Sequence, residues 1–324
     1  MLLLQALPTS IGAAAIAPAL LVLWLVVAAD ERPGPPARVW LAFILGAASI
    51  SLLGIARAPF AAILAVPGNP WMTQILRSLF GVAAPEEIVK VLVIVVVAAA
   101  ARRRTFADPM DTVVYGAAAG LGFAAYENLA YLVQHSDMWR SLAALRSVLT
   151  VPFHGALGII AGAYIAIARA GTALGANRHH RDWARISSWC LVLFAPVALH
   201  AAFDFPLLTL QKNPDLDAST RLMLGTASVL IGFSSIGFAV RLVRRVGRHH
   251  APRNEIARER LSQLRRMWAL LVAGGGAGFA GVAFLLTSIL IGIALLVATT
   301  AIYVFGRNRI RTSSEGFSSA PGSG

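Results

Sequence analysis

The chain holds a single cysteine, two lysines and only 15 acidic side chains in 324 residues. Cys190 alone can close no internal disulfide, so cysteine usage leaves the redox compartment open. Charged residues make up 13% of the chain against 57% hydrophobic ones, a balance that excludes a soluble globular class. Several catalytic signatures are missing: there is no His-Glu-x-x-His helix, no Gly-x-Ser-x-Gly elbow and no phosphate loop. Residues 1–10 carry no basic side chain ahead of their apolar run, which argues against a cleaved signal peptide and for a retained first helix. No internal repeat and no soluble domain stand out.

What is present is a series of long apolar runs separated by short arginine clusters, as expected of an integral membrane protein with an all-α, polytopic helix bundle. The net charge of +13 would suggest nucleic acid in a soluble chain. Here the arginines lie in the segments 102–104, 169–185, 241–266 and 307–311, where they read as topology signals, and no nucleic-acid partner is expected. A crossing needs roughly 20 apolar residues. Candidates are 11–29, 37–56, 82–101, 112–133, 145–168, 187–210 and 222–240, with 57–81 interfacial or re-entrant. Residues 267–305 would reach about 58 Å as one helix, too long for one crossing. Keeping the basic segments on one side requires an even number of crossings there. The expectation is therefore about nine spans, with eight possible if that segment holds one. The chain divides into N-terminal spans with an interfacial segment (1–81), a four-helix membrane core (82–210), C-terminal spans with a basic cytoplasmic loop (211–311) and a disordered tail (312–324).

The informative residues are the polar ones inside the apolar runs. Four of the fifteen acidic residues fall there, Glu86, Glu87, Glu127 and Asp204, as do two of the seven histidines, His154 and His200. A charge at mid-bilayer costs at least about 2.5 to 3.5 kcal/mol on insertion scales, so such groups need partners, water or a purpose. All six fall at similar depth in the outer half of four separate spans. Residues four apart share a helix face. That pairs Glu86 with Lys90 and His200 with Asp204, and places Phe123 one turn before Glu127. Lys90 and Lys212 are the only lysines among 28 basic residues, so Lys90 is not compositional noise. Asn128 adds an amide beside Glu127, and Asp204 is placed to orient the His200 imidazole. The glycines at 120 and 122, and at 158 and 162, read as close helix packing.

Taken together, Glu86-Glu87-x-x-Lys90, Phe123-x-x-x-Glu127-Asn128, His154 and His200-x-x-x-Asp204 resemble the PrsW family of bacterial intramembrane proteases, within the CAAX-protease and bacteriocin-processing superfamily. The resemblance covers about residues 75 to 210. It implies a membrane-embedded peptidase of the bacterial plasma membrane that acts within the outer half of the bilayer on a single-span protein of the anti-sigma-factor kind. Glu86, Glu87, Glu127, His154, His200 and Asp204 would be its catalytic residues, with Lys90, Phe123 and Asn128 in support.

Peptide hydrolysis needs an activated water and stabilisation of the tetrahedral oxyanion. In a metal-free version Glu87 or Glu86 is the base, His154 and His200 polarise the carbonyl and Asp204 fixes His200. In a metal version His154, His200 and Glu87 ligate Zn2+ with an open position for water, and another glutamate is the base. Both stay open. The rivals from other classes are a proton-coupled transporter or channel using the same carboxylates and histidines, and a non-catalytic scaffold that keeps the polar core for helix association.

Overall fold

The computed structural model of the chain describes residues 9–28, 30, 34–66, 68–101, 109–170 and 181–248. Among these residues every regular element is helical. The order is α1 (Thr9–Ala28), α2 (Pro36–Ala48), α3 (Leu53–Arg57), α4 (Ala61–Leu64), α5 (Pro70–Leu76), α6 (Ala84–Ala101), α7 (Pro109–Gln134), α8 (Trp139–Val148), α9 (Thr150–Ala170), α10 (Arg181–Lys212) and α11 (Ala218–Arg248). Short 3-10 turns join α2, α3 and α4 into one nearly unbroken run, and a π-helical turn, Arg77–Ala83, feeds α5 into α6.

Five stretches are long and apolar enough to cross a membrane: Ser10–Ala28, Pro36–Leu64, Trp139–Arg169, Arg185–Lys212 and Ala218–Val246. The protein is thus an integral membrane helix bundle, while the expected count of nine spans is not reached among the described residues. The segment 267–305, with its two expected crossings, lies outside them, as do the tail 312–324 and most of the basic loop 241–266. Expected crossings 82–101 and 112–133 are present as α6 and α7, but both carry polar residues on faces that the other helices cover. The segment 57–81 is divided among α3, α4, α5 and the π turn, so the second membrane run extends to Leu64.

The interior is organised around α7. From Met110 to Ala125 every one of its residues is buried, and α9, α2, α1 and α6 pack around it. Such enclosure needs small residues, because lipid tails are as apolar as leucine and helices must gain from close packing instead. A Cβ on Gly116 would fall 2.1 Å from the Gly158 carbonyl oxygen, and one on Gly120 would fall 2.4 Å from that of His154. The α7–α9 contact is therefore backbone against backbone, and it runs directly past His154.

Local signals set the helix boundaries. The Asn69 side chain accepts a hydrogen bond from the Met72 amide (2.8 Å) and Pro70 occupies the first helical position of α5. Asp217 accepts from the Thr220 amide (2.9 Å) at the start of α11. Within α10, Pro196 and Pro206 bracket His200 and Asp204. In that stretch Ser228 of α11 donates to the Phe203 carbonyl (2.8 Å) and Thr209 to the Phe205 carbonyl (2.7 Å), side-chain donors to backbone acceptors close to Pro206.

Candidate catalytic site

The antiparallel run of the helices decides which residues can meet. Glu86, Glu87 and Lys90 lie in the first two turns of α6, Glu127 about two turns before the end of α7, His154 in the second turn of α9, and His200 and Asp204 in the second half of α10. Because α6 and α9 run opposite to α7 and α10, all seven positions fall at one end of the bundle. The opposite ends of α6 and α9 lead into the arginine-rich segments 102–104 and 169–185 of the sequence.

The side chains form one connected polar chain. Asp204 Oδ2 lies 3.2 Å from His200 Nε2, and His200 Nδ1 lies 2.7 Å from Glu87 Oε1. Lys90 Nζ donates to the same Glu87 oxygen (2.8 Å) and sits 3.0 Å from His154 Nδ1. His154 Nε2 lies 3.0 Å from Glu127 Oε2. Glu86 Oε2 faces Lys90 Nζ at 3.6 Å and His200 Nε2 at 3.9 Å. Among the described residues it has no hydrogen-bond partner, although it is buried. The α6 carboxylates thus differ in kind: Glu87 is engaged on two sides, whereas Glu86 presents an open acceptor.

Aromatic rings close the cluster. Lys90 Nζ stands 4.1 Å above the centre of the Phe123 ring, a cation–π contact that partly replaces lost hydration. Phe153 packs edge-on against His200 and stacks on Phe203, and the two imidazoles meet at 5.1 Å. Glu86, Glu87, Lys90, His154 and His200 are all buried. Glu127 and Asp204 keep 20% and 18% of their side-chain surface exposed, so the cluster opens to its surroundings at these two carboxylates.

Arg146 completes the site and was not among the residues expected from sequence. Its Nη2 donates to Glu127 Oε2 (2.8 Å), its Nε to Asn128 Oδ1 (2.9 Å), and its guanidinium lies 4.2 Å from the Tyr131 ring centre. Asn128 in turn donates to the Ala15 carbonyl of α1 (3.2 Å). Arg146 belongs to α8, in a stretch expected to be a loop followed by the start of a span. A lone arginine at the second position of that expected span was the available signal. Tyr126, beside Glu127 in sequence, points away and is exposed.

The residues also fit a divalent cation. One oxygen of Glu86 and one ring nitrogen each of His154 and His200 lie within 4.8 Å of one another. Two imidazoles and a carboxylate are the donor set of a catalytic zinc. Four carboxylates, Glu86, Glu87, Glu127 and Asp204, face two fixed cations, Lys90 and Arg146. With neutral imidazoles the cluster then carries an excess of two negative charges, and Glu86 Oε2 lacks a hydrogen-bond donor among the described residues. The carboxylate of this trio is Glu86, whereas the sequence expectation named Glu87.

Comparison with known proteins adds an independent line. Residues 34–239 match the family described as "PrsW family intramembrane metalloprotease". The chain is 36% identical over 107 residues to Protease PrsW of Bacillus subtilis, covering 33% of this chain and 44% of the relative. It is 33% identical over 103 residues to Protease PrsW of Halalkalibacterium halodurans, covering 32% and 42%. With Protease PrsW of Oceanobacillus iheyensis the identity is 30% over 201 residues, covering 61% and 83%. The chain thus spans less than half the length of the first two of these relatives. No solved structure matches it.

Proposed function

The chain belongs to the PrsW family, and from that premise we propose that it is an intramembrane peptidase. In this reading it hydrolyses a peptide bond of a single-span membrane protein in the outer half of the bilayer. The observation that carries the reading is the connected cluster of four carboxylates, two imidazoles and a lysine gathered from four helices at one end of the bundle. A substrate of the anti-sigma-factor kind and a location in the bacterial plasma membrane follow from the family resemblance and belong to the same proposal.

Hydrolysis adds water across the amide. The water oxygen bonds to the carbonyl carbon, one water proton passes to a base, and the C–N bond breaks as a proton reaches the leaving nitrogen. Glu86 Oε2 is the buried acceptor with no donor committed to it among the described residues, so it takes the proton from water. His154 and His200 face the same space, and each polarises the carbonyl when a ring N–H exchanges its present partner for the substrate oxygen. Each is held by carboxylates: His200 by Glu87 and Asp204, His154 by Glu127. Lys90 places positive charge beside the developing oxyanion and holds Glu87 in place. Arg146 and Asn128 act one step further out, by positioning Glu127.

Zinc, the metal implied by the family description, would be held by Glu86, His154 and His200, and when bound would supply Lewis-acid polarisation of carbonyl and water. Glu86 is then a ligand, and Glu87 is the α6 carboxylate left to accept the proton. The two versions separate experimentally. Purified protein is incubated with a single-span reporter, with and without exhaustive chelation, alongside Glu86→Gln and Glu87→Gln variants. Either substitution should lower cleavage by about 10²- to 10⁴-fold. Full activity after chelation with no metal by elemental analysis removes the zinc version. Undiminished cleavage by both variants, inserted normally, removes the peptidase reading. A proton-coupled transporter built on the same groups would be expected to place them near the midplane between repeated halves; the clustering at one end of the bundle supports the peptidase instead.

A further inference from the structure

A second site lies one helical turn outward from the catalytic cluster. A cavity of about 450 Å³ opens between the π turn, α4, α5 and the end of α10, with Arg57, Arg77 and Lys212 in its wall. None of its described lining residues is acidic. Lys212 is the second of the two lysines in the chain, and its partner in scarcity, Lys90, is committed to the catalytic cluster. The remaining wall is largely aliphatic, with Leu64 on one side and Leu208 on the other. Three cations over an apolar floor describe an occupant with an anionic head and a greasy body.

The surroundings narrow the choice. Ile55, Ile63, Val66, Trp71 and Ile75 are exposed on the elements that frame the cavity. Exposed aliphatics with a tryptophan among them mark the depth where acyl chains meet head groups. The cavity also stands at the end of the bundle opposite the C-terminal ends of α6 and α9, which the sequence continues into the arginine-rich segments 102–104 and 169–185, so its three cations are not explained by the bias that orients the chain.

We propose that this cavity binds the phosphate of an anionic phospholipid, with Arg57, Arg77 and Lys212 around the head group and the acyl chains lying along Leu64 and Leu208. Arg57 contributes through its two terminal guanidinium nitrogens, since its Nε already donates to the Gly81 carbonyl (2.9 Å). The cavity shares α10 with the catalytic cluster and reaches α6 through the π turn that leads into it. Val82 is one turn before Glu86 and Leu208 one turn after Asp204, on the same faces. A lipid seated there fixes the separation of α6 and α10 next to the residues that face each other across the site.

The proposal does not depend on the peptidase reading, and its test reads binding. The full chain, purified in a neutral detergent, is titrated with phosphatidylglycerol or phosphatidylcholine and bound lipid is counted by native mass spectrometry. Each basic residue near a lipid surface contributes about a factor of five to anionic binding. The expected preference for phosphatidylglycerol is therefore roughly 100-fold, and the double variant Arg77→Gln/Lys212→Gln should lose about 25-fold of it. Arg57 is left intact in that variant so that its bond to Gly81 is kept, and Arg77→Lys, which keeps the charge, should retain the preference, whereas a misfolded variant would lose binding of both lipids alike. Equal binding of the two lipids, or an unchanged preference in the double variant, overturns the proposal. Inorganic phosphate that displaces phosphatidylglycerol at millimolar concentration marks a free-anion site and overturns the lipid assignment. A soluble acidic peptide that displaces it marks a substrate-docking site and does the same.

Discussion

Lys90 offers the sharpest test of how the cluster is held together. Its ammonium lies 2.8 Å from Glu87 and 3.6 Å from Glu86, with 1% of its side chain exposed. At an effective dielectric near 20 these two contacts amount to about 6 and about 5 kcal/mol of direct attraction, against a desolvation cost of several kcal/mol for each ion. Lys90→Met keeps the side-chain length and removes the charge, leaving two neighbouring carboxylates buried without their cation. The expected cost is about 3–5 kcal/mol. Glu87→Gln alone should cost about 2–3 kcal/mol, because the ammonium loses its closest counter-charge even where the amide oxygen still accepts from Lys90 and His200. The double variant Lys90→Met/Glu87→Gln should then be less damaged than the two single costs together, by at least about 2 kcal/mol, since each change removes the group that the other strands. Denaturant unfolding in mixed micelles, followed by far-ultraviolet circular dichroism, measures all four proteins. Additivity within about 0.5 kcal/mol would refute the claim that this ion pair is a coupled unit. Lys90→Arg should not restore activity, because a planar guanidinium does not fit the space above the Phe123 ring that the ammonium occupies at 4.1 Å.

Other consequences can be checked in the same system. Arg146→Met should lower cleavage by about tenfold or more and cost about 2–3 kcal/mol, since it strands Glu127 and Asn128 together; activity and unfolding midpoint read the two effects. Gly120→Ala should destabilise by about 1–3 kcal/mol and impair cleavage, because the new Cβ would meet the His154 carbonyl at 2.4 Å, whereas Gly225→Ala, with nothing within 4 Å, should be neutral or slightly stabilising. Asn69→Ala should cost about 1 kcal/mol through loss of the α5 cap and leave cleavage unchanged. The Asp217 carboxyl is held well below the usual carboxylate range by hydrogen bonds from Ser219 and Thr220. Its contribution to α11 is thus fully present above about pH 4 and lost as pH falls through the depressed value, so Asp217→Asn should flatten the acid side of the stability profile.

Much of the site could be read from residue spacing because the membrane makes polar residues costly. Glu86, Glu87, Glu127, His154, His200 and Asp204 stood out for that reason, and a three- or four-residue offset was enough to place Lys90 and Phe123 beside them. Other features were hidden for physical reasons. Arg146 escaped because positive charge in a membrane protein is read first as topology, and a lone arginine near a helix end looks like an anchor. The difference between Glu86 and Glu87 could not be read at all. Neighbouring residues on a helix point about 100° apart, and only the positions of α9 and α10 decide which carboxylate is engaged and which is open. The cavity cations Arg57, Arg77 and Lys212 come from three separate elements, and no local pattern announces that they converge. The span count depended on 267–305, which lies outside the described residues.

The arrangement of helices follows from the same cost. A helix bearing Glu86, Glu87 and Lys90 could not face lipid along its first turns, and one bearing Asp111 and Glu127 could not do so along its length. Four of the five strongly apolar stretches stay mostly exposed and supply the lipid contact, Trp139–Arg169 is 83% buried beside α7, and α7 is enclosed over sixteen consecutive residues as a result. Enclosure requires backbone contact, which is why the glycines of α7 and α9 meet at Gly116, Gly120 and Gly158. That contact draws the start of α9 against the end of α7 and so brings His154 within 3.0 Å of Glu127. The glycine stripe and the polar cluster are one device: small residues bring the backbones close, and the closeness lets side chains from separate helices pair their charges instead of leaving them stranded in hydrocarbon. A substitution that separates α7 from α9 without touching a charged residue should therefore damage the site as surely as removing one of its charges.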